Sequence, residues 1–206
     1  MGLVHYTATL EPSKRKLVRA WLPSQSWAPS SKVKKVAEYR FDDPDGEVGV
    51  ETILWQTTDD TVLQVPFTYR SAPLEGADSY LVGTTNHSVL GKRWVYDGCA
   101  DPKWAATITA AILTGGSQAQ MVIERDGELI DVPPRMHVRG SGSPGAVVPA
   151  VVSVESVGDD GAVTTVGAGP LTISLARVVG TPVEGDATLT GTAAGQDLGT
   201  LAALRR

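Results

Sequence analysis

The sequence has few of the residues that build disulfides and metal sites. Cys99 is the only cysteine in 206 residues, which excludes an intramolecular disulfide and a cysteine-based metal cluster. The three histidines are far apart and none forms a paired helical spacing. We therefore expect neither a bound metal nor another cofactor.

Long hydrophobic runs are also absent. No run approaches the roughly 18 apolar residues of a membrane helix, and the N-terminus has no basic region followed by an apolar core. We expect a cytoplasmic protein without membrane association. The net charge of −5 is ordinary, so no nucleic-acid partner is expected. The chain is also too short for a (β/α)₈ barrel, which takes about 250 residues.

Charge is unevenly distributed along the chain. Residues 1–35 carry seven basic side chains against a single acidic one, Glu11, and the rest of the chain is acidic. Four of the basic residues lie on a short predicted helix that ends at Leu22-Pro23. They form either a solvated face or a docking face for an acidic partner: Lys14, Arg15, Lys16 and Arg19.

Alternating patterns predict an antiparallel meander in the first half. Residues 36–55 read as a hairpin turning at Pro44-Asp45-Gly46, and Leu63 to Tyr69 alternate as a third strand. Two shorter strands are expected near 79–83 and 93–97. Asp101-Pro102 and Gly115-Gly116 bound the clearest helix.

The composition changes after Trp104, the last aromatic residue. Residues 105–206 hold 15 of the 22 glycines, and 140–145 have the composition of a linker. Val-rich and Thr-rich segments at 147–157, 171–179 and 187–192 predict further strands that pack on the first half. We expect a domain at 1–138 and a β-rich extension at 146–206.

Residues 83–99 allow three chemical interpretations beside ordinary core packing, of which the first, a phosphate-binding loop, is disfavoured. The glycine spacing from Gly83 to Arg93 does not fit a phosphate-binding loop. Trp94 and Tyr96, beside Arg93 and Asp97, are candidates for a ligand surface, because aromatic faces stack on sugar rings. A nucleophile, base and orienter would come from His87, Ser88, Asp97 and Cys99, although no nucleophile elbow surrounds Ser88.

Four segments resemble the N-terminal cap domain of maltokinase, and the resemblance extends over roughly residues 10–125. They are WLPSQSW (21–27), YRFDDPDGEVG (39–49), VPFTYR (65–70) and GTTNHSVLGKRWVYD (83–97). The resemblance implies an actinobacterial protein and an α+β, β-rich fold. It also implies a curved antiparallel sheet on one main helix, somewhat cystatin-like, followed here by a Val/Gly-rich β extension.

The departures from the family bear on function. Nothing has the form of a kinase catalytic loop, and a kinase body would not fit in the remaining chain. We therefore expect a non-catalytic, cap-like accessory or interaction protein of maltose, trehalose and α-glucan metabolism, whose partner is a maltokinase-like kinase or a second copy. The alternative is a module that binds a sugar or sugar phosphate through His87, Arg93, Trp94, Tyr96 and Asp97. An enzyme is the third and least favoured hypothesis.

Overall fold

The computed structural model describes residues 2–4, 8–125 and 128–206. It is 47% strand and 15% helix, which confirms the predicted α+β, β-rich class. The helices are α1 (Lys14–Trp21) and α2 (Pro102–Thr114). The strands are β1 (Gly2–Val4), β2 (Leu10–Glu11), β3 (Lys34–Asp42), β4 (Gly49–Gln56), β5 (Val62–Arg70), β6 (Leu81–His87), β7 (Gly91–Asp97), β8 (Met121–Arg125), β9 (Glu128–Val132), β10 (Met136–Gly140), β11 (Ser156–Asp160), β12 (Val163–Ala168), β13 (Leu171–Ala176), β14 (Ala187–Ala193) and β15 (Gln196–Arg205).

The first sheet is antiparallel and curved, as the family resemblance implied, and its curvature makes it a half-barrel. Its strand order is β2-β6-β7-β5-β4-β3. The predicted hairpin corresponds to β3 and β4, and its turn is fixed by Asp43, whose carboxylate accepts from the backbone N–H groups of Asp45, Glu47 and Val48. Gly46 supplies the positive φ of 72° that this turn requires.

Helix α1 packs on one face of this sheet. It begins at Ser13, whose hydroxyl accepts from the Lys16 N–H, and a single 3₁₀ turn follows it at Leu22–Ser24. Its buried residues belong to one cluster with alternate residues of β4 and β5: Leu17, Val18, Trp21, Ile53, Trp55, Val65 and Phe67. This face of the sheet is therefore covered by a short amphipathic helix.

Helix α2 lies between two sheets. Its predicted ends are confirmed, with Asp101 accepting from the Lys103 N–H and Gly115 adopting a left-handed conformation. Trp104, Ile108 and Ile112 share one core with the first sheet (Tyr39, Phe41, Val50, Leu54) and with the second (Met136, Ile173, Leu189, Leu201). The helix is buried on both sides, because apolar residues occupy more than one stripe.

The second sheet contains the strands of the predicted β extension, β11 to β15, together with β10, which lies before residue 146. Its strand order is β10-β14-β15-β13-β12-β11, and its strands are antiparallel. The strands expected at 171–179 and 187–192 are observed as β13 and β14. The strand expected at 147–157 is wrong: regular pairing begins only at Ser156, and Val147 and Val152 are more than 80% exposed. Val-rich composition alone did not give these residues a pairing partner.

The glycine-rich segment at 140–145 packs on the C-terminal end of α2. The N–H groups of Gly142 and Ser143 donate to the carbonyls of Ile112 and Leu113, at 2.9 and 3.0 Å. These bonds satisfy carbonyls that a helix end leaves unpaired. The segment is therefore an ordered helix cap, and its linker-like composition reflects close packing.

Two further contacts complete the architecture. Strand β8 pairs with β1 in parallel and with β9 in an antiparallel hairpin.

Gln64, in β5, joins the two large sheets. Its side-chain amide donates to the carbonyls of Ala176 and Leu201, and its side-chain oxygen accepts from the Tyr39 hydroxyl. The two sheets share one core. The domain boundaries at 138 and 146 stay a prediction, and the first of them falls inside β10.

Candidate functional site

The predicted ligand residues of β7 do not form one surface. Successive side chains of a strand point to opposite faces, so Trp94 and Tyr96 face one way and Arg93 and Asp97 the other. Trp94 pairs with Arg70 of β5, and its half-buried ring lies 4.6 Å below the ammonium group of Lys92. Lys92, which sequence reasoning missed, therefore shares the face of Trp94; the period-2 pattern of β7 contains this signal.

Asp97 is buried in an ion pair between the two sheets. Its carboxylate accepts from Arg177, at 2.5 Å, and from the Cys99 N–H, at 3.2 Å. Arg177 is also buried: its Nε donates to the Thr164 hydroxyl at 2.6 Å, and its guanidinium lies 4.6 Å from the centre of the Trp27 ring. Asp97 thus joins the first sheet to the second and is not part of an accessible surface.

Tyr96 and His87 support neighbouring loops. The Tyr96 side chain is buried, and its hydroxyl accepts from the Leu74 N–H at 3.0 Å. His87 stands at the β6–β7 turn, where its Nδ1 accepts from the N–H groups of Val89 and Leu90 at 3.2 and 3.1 Å. Both residues therefore hold turns of the first sheet in place.

The four residues of the enzyme hypothesis do not converge. His87 and Ser88 lie at the β6–β7 turn, whereas Asp97 and Cys99 lie at the other end of β7, about 20 Å away at 3.3 Å per residue. Burial raises the pKa of the Cys99 thiol well above its ordinary value, which disfavours the reactive thiolate. Among the described residues, no three acidic, histidine or cysteine side chains gather to hold a metal ion.

The basic helix face, consisting of Lys14, Arg15, Lys16 and Arg19, is partly engaged with the chain itself. Lys14 donates to both carboxylate oxygens of Glu51, at 2.8 and 2.6 Å, and Arg19 donates to the Val33 carbonyl at 3.0 Å. Lys16 pairs with Glu11, but both side chains are exposed, and Arg15 is exposed. Arg15, Lys16 and Arg19 are exposed, and of these the side chains of Arg15 and Lys16 make no hydrogen bond to the rest of the described chain apart from the exposed Lys16–Glu11 pair.

Glu51 anchors α1 to the sheet. Burial would raise the pKa of this carboxyl, but Lys14, Arg40 and the Tyr69 hydroxyl together outweigh the burial and hold the pKa at about 2. Tyr69 donates to Glu51 at 2.7 Å, and burial together with that carboxylate raises the pKa of Tyr69.

A cleft of about 380 Å³ lies where the two halves of the chain meet. The β5–β6 connection contributes Leu74, Glu75, Gly76, Ala77 and Tyr80; Ala100 comes from the turn before α2, and Pro102 is the first residue of α2. The opposite wall is the segment Val152 to Val157, which leads into β11. This is a concave site that the sequence pattern did not indicate, because its walls lie far apart in the chain.

Comparison with known families identifies part of this structure. Residues 21–101 match the family model of the maltokinase N-terminal cap domain. The match confirms the resemblance inferred from the sequence for this segment, which runs from the end of α1 to the N-cap of α2. No curated protein matches the chain. None of the helices in the described part of the chain is long and apolar enough to span a membrane.

The cap-like segment, residues 21–101, contains the whole predicted ligand surface from His87 to Asp97. The basic helix face lies just before it. The chain after it forms α2 and the second sheet, and it also supplies Arg177, next to the end of β13, and the cleft wall from Val152 to Val157. The cap-like segment is therefore completed by elements outside the family match.

Proposed function

We propose that this chain is a non-catalytic, cap-like accessory or interaction protein of maltose, trehalose and α-glucan metabolism. The observation that carries the proposal is the family match over residues 21–101. A maltokinase-like kinase is the preferred partner, with self-association as the alternative, and the cytoplasm of an actinobacterium is the proposed setting. The separation of His87 and Ser88 from Asp97 and Cys99 supports a role without turnover.

The arrangement of the two helices and the two sheets supports the basic helix face as the binding surface. Helix α2 has a sheet on each side, so its apolar residues are buried in the core and are not available to a partner. Helix α1 covers the outer face of the first sheet and carries the exposed charges of Arg15 and Lys16. We propose that the basic helix face contributes to binding, since exposed charges guide association with an acidic partner.

A pull-down with an intact maltokinase-like kinase tests this proposal. We expect the kinase to be retained, and we expect reversal of two charges in Arg15→Glu/Lys16→Glu to weaken binding at least fivefold. Arg205→Glu/Arg206→Glu is the matched control, because it reverses two exposed charges at the other end of the chain. Absence of binding from low to high salt would contradict the proposal.

A second proposal, binding of a sugar or sugar phosphate, draws support from the face that Trp94 shares with Lys92. An aromatic ring stacks on a sugar, and the ammonium group attracts a phosphate. Calorimetry with maltose and with a sugar phosphate tests it: heat from the unchanged protein and much less from Trp94→Ala would support binding there. Equal heats, or none from either protein, would refute it.

A further inference from the structure

Strand β11 forms an edge of the second sheet, and the cleft lies beside its N-terminal end. In the described part of the chain β12 is its only strand neighbour. Four of its five residues are exposed: Ser156, Gly158, Asp159 and Asp160. An edge strand presents backbone N–H and C=O groups that can pair with another extended chain.

The cleft beside this edge is acidic. Its lining includes the carboxylates of Glu75 and Glu155, and none of the lining residues is basic. The Glu155 carboxylate is held in place, because one oxygen accepts from the Ser153 hydroxyl at 2.6 Å and the other from the Gly169 N–H at 2.7 Å. These hydrogen bonds lower the pKa of Glu155, so it stays ionised near neutral pH.

The remaining walls suit a long aliphatic side chain that ends in a cation. Tyr80 supplies an aromatic ring, and Leu74, Val154 and Val157 supply apolar surface. Lysine and arginine bury their methylene groups against such surface while the charged end meets carboxylates or an aromatic face. The volume of about 380 Å³ lies within the range of small-ligand sites.

We propose that the β11 edge and the cleft form a docking surface for an extended basic segment of a partner protein. The segment adds a strand to β11 and places a Lys or Arg side chain between Glu75 and Glu155. Backbone pairing supplies affinity and the cleft supplies specificity, as in other cases of strand addition. This inference rests on the proposed role as an interaction protein and names a surface distinct from the basic helix face.

Calorimetry with short synthetic peptides tests the inference on the full chain. The probe is acetyl-Val-Lys-Val-Lys-Val-amide, compared with the same peptide carrying Glu for Lys and with a version whose backbone nitrogens are methylated. We expect the basic peptide to bind at least tenfold more tightly than either. Equal binding of the acidic or the methylated peptide, or no binding of any peptide, would overturn the proposal.

Matched variants locate the site. Glu75→Gln/Glu155→Gln keeps the side-chain shapes and removes both charges, and we expect at least fivefold weaker binding of the basic peptide. Glu128→Gln, on the exposed strand β9, should leave binding unchanged. Amide chemical shifts of residues 152–160 in the unchanged protein provide a second measurement that does not depend on how the variants fold. Shifts confined to other residues would refute the site.

The outcome can be separated from that of the kinase pull-down. Peptide binding requires no kinase. A negative kinase pull-down would therefore not refute the docking surface at β11, and a negative peptide titration would not refute the proposed role of the basic helix face. Self-association that disappears in Glu75→Gln/Glu155→Gln would identify the occupant as a second copy. That result would overturn the assignment to a different partner.

Discussion

Glu51 is a buried carboxylate whose ion pair with Lys14 depends on pH. Burial opposes ionisation, but Lys14, helped by Arg40 and Tyr69, lowers the pKa from 4.5 to about 2 in the folded chain. The folded pKa is below the unfolded one, so the pair contributes fully to stability above about pH 4.5. Its contribution is lost as the pH falls from there towards 2, because the carboxylate must then bind a proton.

Glu51→Gln is expected to remove this pH dependence. Near pH 7 the substitution should lower the free energy of unfolding by ~3 kcal/mol, since one pKa unit corresponds to about 1.4 kcal/mol. The difference from the unchanged protein should vanish near pH 2. Urea unfolding across that range measures it, and Glu11→Gln, which removes an exposed partner of Lys16, should change stability by under about 1 kcal/mol. A loss in Glu51→Gln that is independent of pH would be inconsistent with this account.

At the residue scale, the sequence placed the candidate site residues on strands and turns but did not predict their contacts. The alternation of β7 places Lys92 on the face of Trp94, although the predicted surface omitted Lys92 and combined Trp94 with Arg93 and Asp97, which face the other way. It did not predict that Asp97 meets Arg177, because these residues are 80 positions apart in the chain. Which strand ends meet is decided by the packing of two sheets, and no local pattern encodes that packing.

Gly142 shows how closely the helix α2 and the segment after β10 approach each other. A Cβ atom added to Gly142 would lie 1.9 Å from the carbonyl oxygen of Leu113, which is backbone and cannot move aside easily. Glycine is required here by space and not by an unusual backbone angle. The composition that predicted a linker therefore belongs to the contact that ends α2.

Gly142→Ala is expected to destabilise the protein by about 1–3 kcal/mol or more, because overpacking forces the backbone to shift. Gly158→Ala is the matched control, since an added Cβ there would meet nothing within 4 Å. Thermal or urea unfolding of both variants measures the difference. Equal stability of the two variants would show that the segment does not pack on α2 as described.

At the element scale, capping signals were more reliable than composition. Asp101, Pro102 and Gly115 predicted both ends of α2 because each residue acts locally on the helix. The segment 147–157 was predicted as a strand from its valines, yet it lacks regular strand pairing up to Ser156. Strand formation needs a partner, so composition without a visible partner was an insufficient guide.

The whole molecule is organised around a core that two sheets share. Residues of the first sheet, α2 and the second sheet belong to one buried cluster, and Gln64 and Arg177 add hydrogen bonds across the junction. The aromatic residues all lie at or before Trp104, so the second sheet contributes no aromatic side chain to this core. That asymmetry predicted a first part of the chain that resembles a known domain and a second part that packs on it.

A shared core should unfold in one step. Four of the five tryptophans lie at or before Trp94, and Trp104 lies in α2, so fluorescence reports mainly on the first sheet and the helices, whereas far-ultraviolet circular dichroism reports on both sheets. We expect the two signals to give the same midpoint in urea, as cooperative unfolding requires. Two separated midpoints would mean that the halves are independent domains.

The functional account depends on an encounter with another protein. The match to the cap domain supports a role in binding another protein. The burial of α2 between the two sheets favours the outer surfaces as the place of contact. Sedimentation velocity of the full chain mixed with an intact maltokinase-like kinase is the most direct measurement. We predict a single faster boundary containing both proteins at low salt, which reverts towards the separate species as salt screens the charges. Two unchanged boundaries at every salt concentration would contradict the account.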